Sequence, residues 1–236
     1  MRPRAPGPVW MVTPVKRLER AKSRLAARLS AAERERLVFA MFLDLLGAAR
    51  RCRDLAGICI VTDDARVAAA AHRHGAVVVL DAGVGGLSQA YASGIARAVA
   101  LGAEGVLLVP GDVPLVRPRD LSALVRRRGQ LPLIRLVPAR QDPGTNAMFL
   151  WPAGIVPPRY EGHSFAGHMA AAIVRGLEPE IVTNPRLALD IDRPDDLMAL
   201  HVHPPGPRTR RVLADLAGPG PAADKNAGAG TFNATR

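Results

Sequence analysis

The sequence predicts an α/β fold around one mostly parallel sheet, and three observations carry that prediction. Short runs rich in Val, Ile and Leu alternate along the chain with segments of helical periodicity, as βαβ construction requires. Some runs are apolar throughout, GICIV at 57–61 and LLV at 107–109 among them, as strands covered on both faces are. The second of these stops abruptly: LLVPGDVP places Asp112 three residues past its end, where open α/β sheets bind ligands. At 236 residues the chain suits one large domain with a full core.

Val9–Val15 is the first strand. The loop leaving it, PVKRLERAKSRL, concentrates Lys16, Arg17, Arg20, Lys22 and Arg24, a suitable cradle for a triphosphate although the GxxxxGK[ST] pattern is absent. Ser30 and Glu33 form an S-x-x-E capping box, and Leu37, Val38, Met41, Phe42, Leu45 and Leu46 make one apolar helical face. Gly57–Val61 is the second strand, closed by Thr62, Asp63 and Asp64. An Asp after a strand commonly caps the next helix, so Asp63 and Asp64 are given no catalytic role. A short helix over 65–73 ends at His74 and Gly75, with His72 and His74 on its solvated end, and Val77–Leu80 is the third strand.

DAGVGGLSQ, residues 81–89, is a Gly-rich loop entering a helix with Leu87, Tyr91, Ile95 and Val99 on one face. Its glycines let backbone approach a ligand, and the helix start adds amide donors. The strand over 106–109 and Asp112 follow. Pro118 then starts a helix that Gly129 stops, with Arg126, Arg127 and Arg128 complementing its dipole. Leu133–Val137 and Ala147–Leu150 are strands flanking ARQDPGTN. Gly144, Thr145 and Asn146 there offer an anion a hydroxyl, an amide and permissive backbone, or form a plain hairpin turn. Ser164 caps a helix reaching Arg175 and suits a phosphate. LALDIDRPDDL sets Asp190 and Asp192 after another apolar run, before a helix opened by Pro194. Asp112, Asp190 and Asp192 are expected to meet over one nucleotide.

The domain is expected to span 1–203, followed over 204–236 by a Pro/Arg/Gly-rich tail whose end has a disordered composition. The formal charge is +11, yet only Lys16, Lys22 and Lys225 are lysines. Such a charge attracts phosphorylated metabolites and nucleic acids alike. A basic nucleic-acid-binding protein is therefore one alternative, opposed by an aromatic content of 4% and the lack of a recognisable nucleic-acid motif. Cys52 and Cys59 make no disulfide framework, and no apolar run suits a signal peptide or a membrane span. A soluble, cytoplasmic protein is expected.

Four segments in order, VTPVKRLERAKSRL, VPGDVPL, GTNAM and LALDIDRPDDL, resemble the CofC/FbiD guanylyltransferases, which use GTP to activate a phosphorylated three-carbon acid during biosynthesis of a deazaflavin coenzyme. The resemblance runs from about residue 9 to 201. It implies a single-domain, nucleotide-diphospho-sugar-transferase-like (GT-A, Rossmann-like) three-layer sandwich. Lys16, Lys22 and Arg24 would hold the GTP phosphates, with Gly86, Ser88 and Gln89 beside the nucleotide. Asp112, Asp190 and Asp192 would coordinate Mg²⁺, in two ions, and Asp112, Lys16 and Lys22 would be catalytic. Thr145, Asn146 and Ser164 would bind the acceptor acid: phosphoenolpyruvate, 2-phospho-L-lactate or 3-phospho-D-glycerate. The implied partners are GTP, that small phosphorylated carboxylic acid and a downstream deazaflavin-coenzyme transferase; a homodimer is allowed, and neither nucleic acid nor membrane is expected.

Two departures stand out. Ser88 replaces an Asn common in the family's Gly-rich loop, leaving Gln89 to supply an amide. Glu161 occupies a Gly position of the family's F-G-x-G-S acceptor loop, where it alters the accepted acid or points to solvent. Another nucleotidyltransferase of the same fold, acting on a sugar phosphate or molybdopterin, is the nearer alternative; it lacks support from a GGxSxRMG-type signature after the first strand.

Overall fold

The computed structural model describes residues 7–20, 22–81, 83, 85–126 and 132–217. Seven strands form one sheet: β1 (Val9–Pro14), β2 (Gly57–Thr62), β3 (Val77–Leu80), β4 (Gly105–Leu108), β5 (Leu133–Pro138), β6 (Thr145–Trp151) and β7 (Glu180–Ile181), ordered β3-β2-β1-β4-β6-β5-β7. Only β6 runs antiparallel to its neighbours, β4 and β5. The chain moves outward from β1 to β3 and then restarts on the other side at β4. The carboxyl ends of β1 and β4 therefore flank a topological switch point, where a crevice opens.

The helices are α1 (Ala31–Arg51), α2 (Ala65–Arg73), α3 (Gly86–Ala100), α4 (Pro118–Val125), α5 (Ser164–Ile173), α6 (Pro194–Val202) and α7 (Pro207–Leu216). Alternate strand residues feed two cores. Met11, Ile60 and Leu107 pack with α1, α2 and α4, while Val12, Val61 and Leu108 pack with α3 and α5. This is the expected three-layer sandwich, each central strand buried on both faces. Gly94 lets α3 sit close on the sheet, since a Cβ there would collide with Val12 and Val61, and the start of α3 is thereby held over the crevice.

Local chemistry sets the helix ends. The Ser30/Glu33 capping box forms, with Ser30 N–H donating to Glu33 at 2.7 Å. The sequence R-P-x-D occurs at 117–120 and 193–196, and both copies start helices the same way. Pro takes the first helical position, and Asp120 or Asp196 accepts the N–H of the preceding Arg, at 2.9 and 2.7 Å. The end of α4 differs from expectation. Arg135 on β5 donates to the Leu124 and Arg126 carbonyls at 2.7 and 2.6 Å, while the Arg126 side chain turns to Asp54. Arg127, Arg128 and Gly129 lie outside the described residues.

The expected tail boundary is too early. Residues 207–216 form α7, which packs Val212 and Leu213 against the core, and the buried Asp44 of α1 accepts the N–H groups of Arg208 and Thr209 at 3.1 and 2.8 Å. The fold thus continues through α7, and the rest of the expected tail, 218–236, lies outside the described residues. Asp44→Ala should release α7 and lower the unfolding free energy by about 1–2 kcal/mol, the scale of a lost N-cap. Urea unfolding measures the loss, and limited proteolysis after Arg208, Arg210 and Arg211 should accelerate with it.

Among the described residues no helix is long and apolar enough to cross a membrane.

Candidate active site

Asp112 lies in the turn after β4, and Asp190 and Asp192 lie on the segment entering α6. The two segments are joined by a hydrogen bond from Ile191 N–H to the Asp112 carbonyl at 3.3 Å. One oxygen from each of the three carboxylates can be chosen so that all lie within 4.8 Å of one another. Each acid has its own support. Asp196 accepts Asp192 N–H at 2.9 Å, so the capping box of α6 also fixes the backbone of Asp192. Asn146 donates to Asp190 at 3.0 Å and to the Ala188 carbonyl at 2.9 Å.

The acids crowd one another. Burial, then the charge of Asp112, pushes the Asp190 carboxyl up to about 6. Lys22 is wedged among them, donating to Asp112 and, at 2.9 Å, to Asp192; Arg24 meets the other Asp192 oxygen at 2.6 Å. Burial pulls the Lys22 ammonium down, but Asp112 and Asp192 more than offset it and hold it above the ordinary lysine value. Asp192 is held below the ordinary carboxylate value, since Lys22 and Arg24 outweigh its burial. The second oxygen of Asp112, Oδ1, is buried with no hydrogen-bond partner. Three crowded carboxylates with an orphaned buried oxygen form a hard, all-oxygen donor set that fits Mg²⁺.

Backbone strain marks the same place. Lys22 has φ 54° and ψ 46°, left-handed values that cost a non-glycine residue about 1–2 kcal/mol. The surrounding loop is pinned by Leu18 and Leu25, both buried in the core, and by the end of β2. Asp63 accepts from Arg17 at 2.7 Å, and Asp64 accepts Leu18 N–H at 3.1 Å. Asp64 also caps α2 through the N–H groups of Arg66 and Val67, the role its sequence position suggested.

Two clefts meet at Asp112. One, about 310 Å³, is lined by Lys16, Lys22, Val38, Gly111 and Asp192. The other, about 300 Å³, is lined by Asp190, Gly144, Thr145, Asn146, Ser164 and Tyr160. Asp112, Pro110 and Leu87 border both. Gly86, Ser88 and Gln89 line neither cleft. The Ser88 hydroxyl donates to Glu161 and accepts Tyr160 N–H at 2.7 Å, while Ser88 N–H reaches Glu161 at 3.1 Å. Glu161 therefore caps the first turn of α3, in the position a helix start offers to an anion, and it does so while remaining exposed to solvent.

In the second cleft the predicted polar residues also hold each other. Thr145 N–H donates to Ser164 Oγ at 2.9 Å, and Thr145 Oγ1 lies 2.9 Å from His168 Nδ1. Asn146 lines the cleft but spends its two amide hydrogens on Ala188 and Asp190, so it positions an acid. Sequence reasoning passed over His168, and also the stack of Tyr91 on Tyr160, centroids 4.4 Å apart. The available signal was spacing: Ser164 and His168 stand four residues apart on one face of a helix.

Burial, then the Arg159 guanidinium, pushes the His168 imidazole down to about 4, from an ordinary value near 6.5 in the unfolded chain. Between those values the unfolded chain binds the extra proton, so stability falls as pH drops from about 6.5 toward 4, by up to about 3 kcal/mol. Urea unfolding across that window should show a shallower acid loss for His168→Gln than for the parent protein.

A family model described as guanylyl transferase CofC-like matches residues 9–218. A phosphoenolpyruvate guanylyltransferase from Conexibacter woesei is 40% identical over 192 residues, 81% of this chain and 86% of that protein. A 3-phospho-D-glycerate guanylyltransferase from Phenylobacterium zucineum is 36% identical over 205 residues, 83% of this chain and 91% of that one. Among solved structures, a nucleotidyl transferase from Methanothermobacter thermautotroptrophicus superposes with a TM-score of 0.58 at 15% identity, covering 83% of this chain and 96% of the other; that likeness speaks for the fold. Matched over residues 9–218, the chain belongs to the guanylyl transferase CofC-like family of nucleotidyltransferases.

Proposed function

We propose that this enzyme transfers GMP from GTP to the phosphate of a three-carbon phospho-acid, releasing pyrophosphate, as a step in making a deazaflavin coenzyme. The observation that carries the proposal is the pair of clefts sharing Asp112, one with lysines and the other with hydroxyl groups. On this reading the lysine-lined cleft takes the triphosphate and the other takes the acid. The two reacting phosphates then meet at the shared wall.

An oxygen of the acceptor phosphate forms a bond to the α-phosphorus of GTP, and the bond from that phosphorus to the bridging oxygen breaks, so the electron pair leaves with pyrophosphate. The acceptor phosphate is already ionised at neutral pH, and no side chain has to remove a proton. Lys22 exchanges its carboxylate partners for phosphate oxygens, and Lys16 at the cleft edge adds a second cation toward the leaving pyrophosphate. Thr145 and Ser164 orient the acid. Asp112, Asp190 and Asp192 would hold Mg²⁺, which when bound offsets charge on the attacking and leaving oxygens.

Pyrophosphate release is the test, with GTP and Mg²⁺ and each of phosphoenolpyruvate, 2-phospho-L-lactate and 3-phospho-D-glycerate supplied separately. Release with one acid and GTP, and at least about tenfold less with ATP, is expected. Release with a sugar phosphate alone would replace the acceptor class.

A further inference from the structure

We propose that His168 is a positioning residue that fixes the Thr145 hydroxyl as a hydrogen-bond donor directed into the acceptor cleft. The inference rests on the reading that this cleft receives the phosphorylated acid. It follows from a chain of donors and acceptors with one consistent assignment. Arg159 N–H lies 2.8 Å from His168 Nε2, and a backbone N–H can only donate. Nε2 must therefore be unprotonated. The ring is fully buried and neutral, so its single proton is on Nδ1, facing Thr145 Oγ1 at 2.9 Å. The threonine oxygen accepts that proton, and its own hydrogen is left for a ligand.

Ser164 is set in the same way. Its Oγ accepts Thr145 N–H at 2.9 Å, which leaves the serine hydrogen free too. Both residues border the second cleft. Their hydroxyls are neutral donors in the cleft that Asp112 and Asp190 also line, so an anion there is met by fixed dipoles as well as by the carboxylates. The imidazole is held in place by the Tyr160 ring, edge-on at 4.9 Å and 69°, and Tyr160 stacks on Tyr91 in turn. His168 does not itself line the cleft. It acts through Thr145, choosing which way that hydroxyl points.

Two measurements test this without requiring turnover. Nitrogen-15 NMR of the histidine rings should show His168 as the Nδ1–H tautomer in the ligand-free protein; an Nε2–H tautomer overturns the inference whatever the substrate is. Titration calorimetry with phosphoenolpyruvate and with GTP then reads the two clefts separately. His168→Leu should weaken binding of the acid about tenfold, the scale of one oriented bond to a charged group, with GTP affinity unchanged. His168→Asn, whose amide can donate near the Nδ1 position, should recover most of that loss. Thr145→Val should weaken the acid similarly, and the Thr145→Val, His168→Leu pair should be no worse than Thr145→Val alone. Additive losses, or equal losses for the acid and GTP, make His168 merely structural. A parent protein that binds the acid through His168 but releases no pyrophosphate keeps this inference and overturns the proposed reaction. Failure to bind the acid overturns both.

Discussion

Asp112→Asn should lower the rate of pyrophosphate release by about three orders of magnitude, roughly 4 kcal/mol of transition-state stabilisation, while leaving the fold's stability within about 1 kcal/mol of the parent. The two halves of that expectation have separate causes. The rate falls because Asp112 alone of the three acids borders both clefts, so an amide there removes negative charge from the place where both substrates would meet the metal. Stability survives because the change is isosteric and relieves crowding. Three carboxylates share two cations, Lys22 and Arg24, and the charge of Asp112 is one cause of the raised Asp190 carboxyl. With asparagine the amide oxygen can still accept from Lys22, and the amide hydrogens can face the remaining acids. Parallel measurement of steady-state release and urea unfolding checks the result. A structural Asp112 would give the reverse pattern, with stability lost and the rate retained.

The parts of this architecture legible in the sequence are those set by short-range patterns. Leu107, Leu108 and Val109 announce a buried strand because each is apolar where an exposed strand would alternate. Asp112 is legible because it follows such a run, past a strand end where α/β sheets bind ligands; Asp190 and Asp192 are legible because they follow a second apolar run, although that run forms no strand. The capping box at Ser30 and the paired R-P-x-D starts are written within four residues. The rest depends on partners remote in sequence. Asp44 caps α7 from 164 residues away, and α7 offers only a short apolar stripe within an arginine-rich segment, so its composition reads as tail. Arg135 satisfies carbonyls of a helix from the neighbouring strand. Ser88 looks available to guanine in a Gly-rich loop until Glu161, 73 residues on, takes its hydroxyl. His168 is hidden for the same reason. A histidine's protonated nitrogen depends on its neighbours, and these come from the 159–160 loop and from β6.

Lys22→Met should lower turnover by at least about a hundredfold and, in the same variant, increase the stabilisation gained from Mg²⁺ alone. The two effects oppose each other because Lys22 has two sets of possible partners. Its ammonium, only 10% exposed, neutralises Asp112 and Asp192 before substrate arrives, and so competes with a divalent cation for the same oxygens. Removing it leaves Asp112, Asp190 and Asp192 with Arg24 as their remaining cation. Loss of one member of a largely buried ion pair costs a few kcal/mol; Asp192 is 38% exposed, which reduces the expected loss to about 2 kcal/mol. Mg²⁺ should return much of that loss in thermal unfolding and do less for the parent. Turnover is not restored, because a metal on the carboxylates cannot supply the ammonium that would meet the triphosphate. Backbone strain provides the control: at φ 54°, Lys22→Gly should be about 1 kcal/mol more stable than Lys22→Ala, with both equally inactive. If Lys22→Met kept parental turnover, the wedged ammonium would be a structural counter-ion, and the strained backbone at residue 22 would have no part in handling the nucleotide.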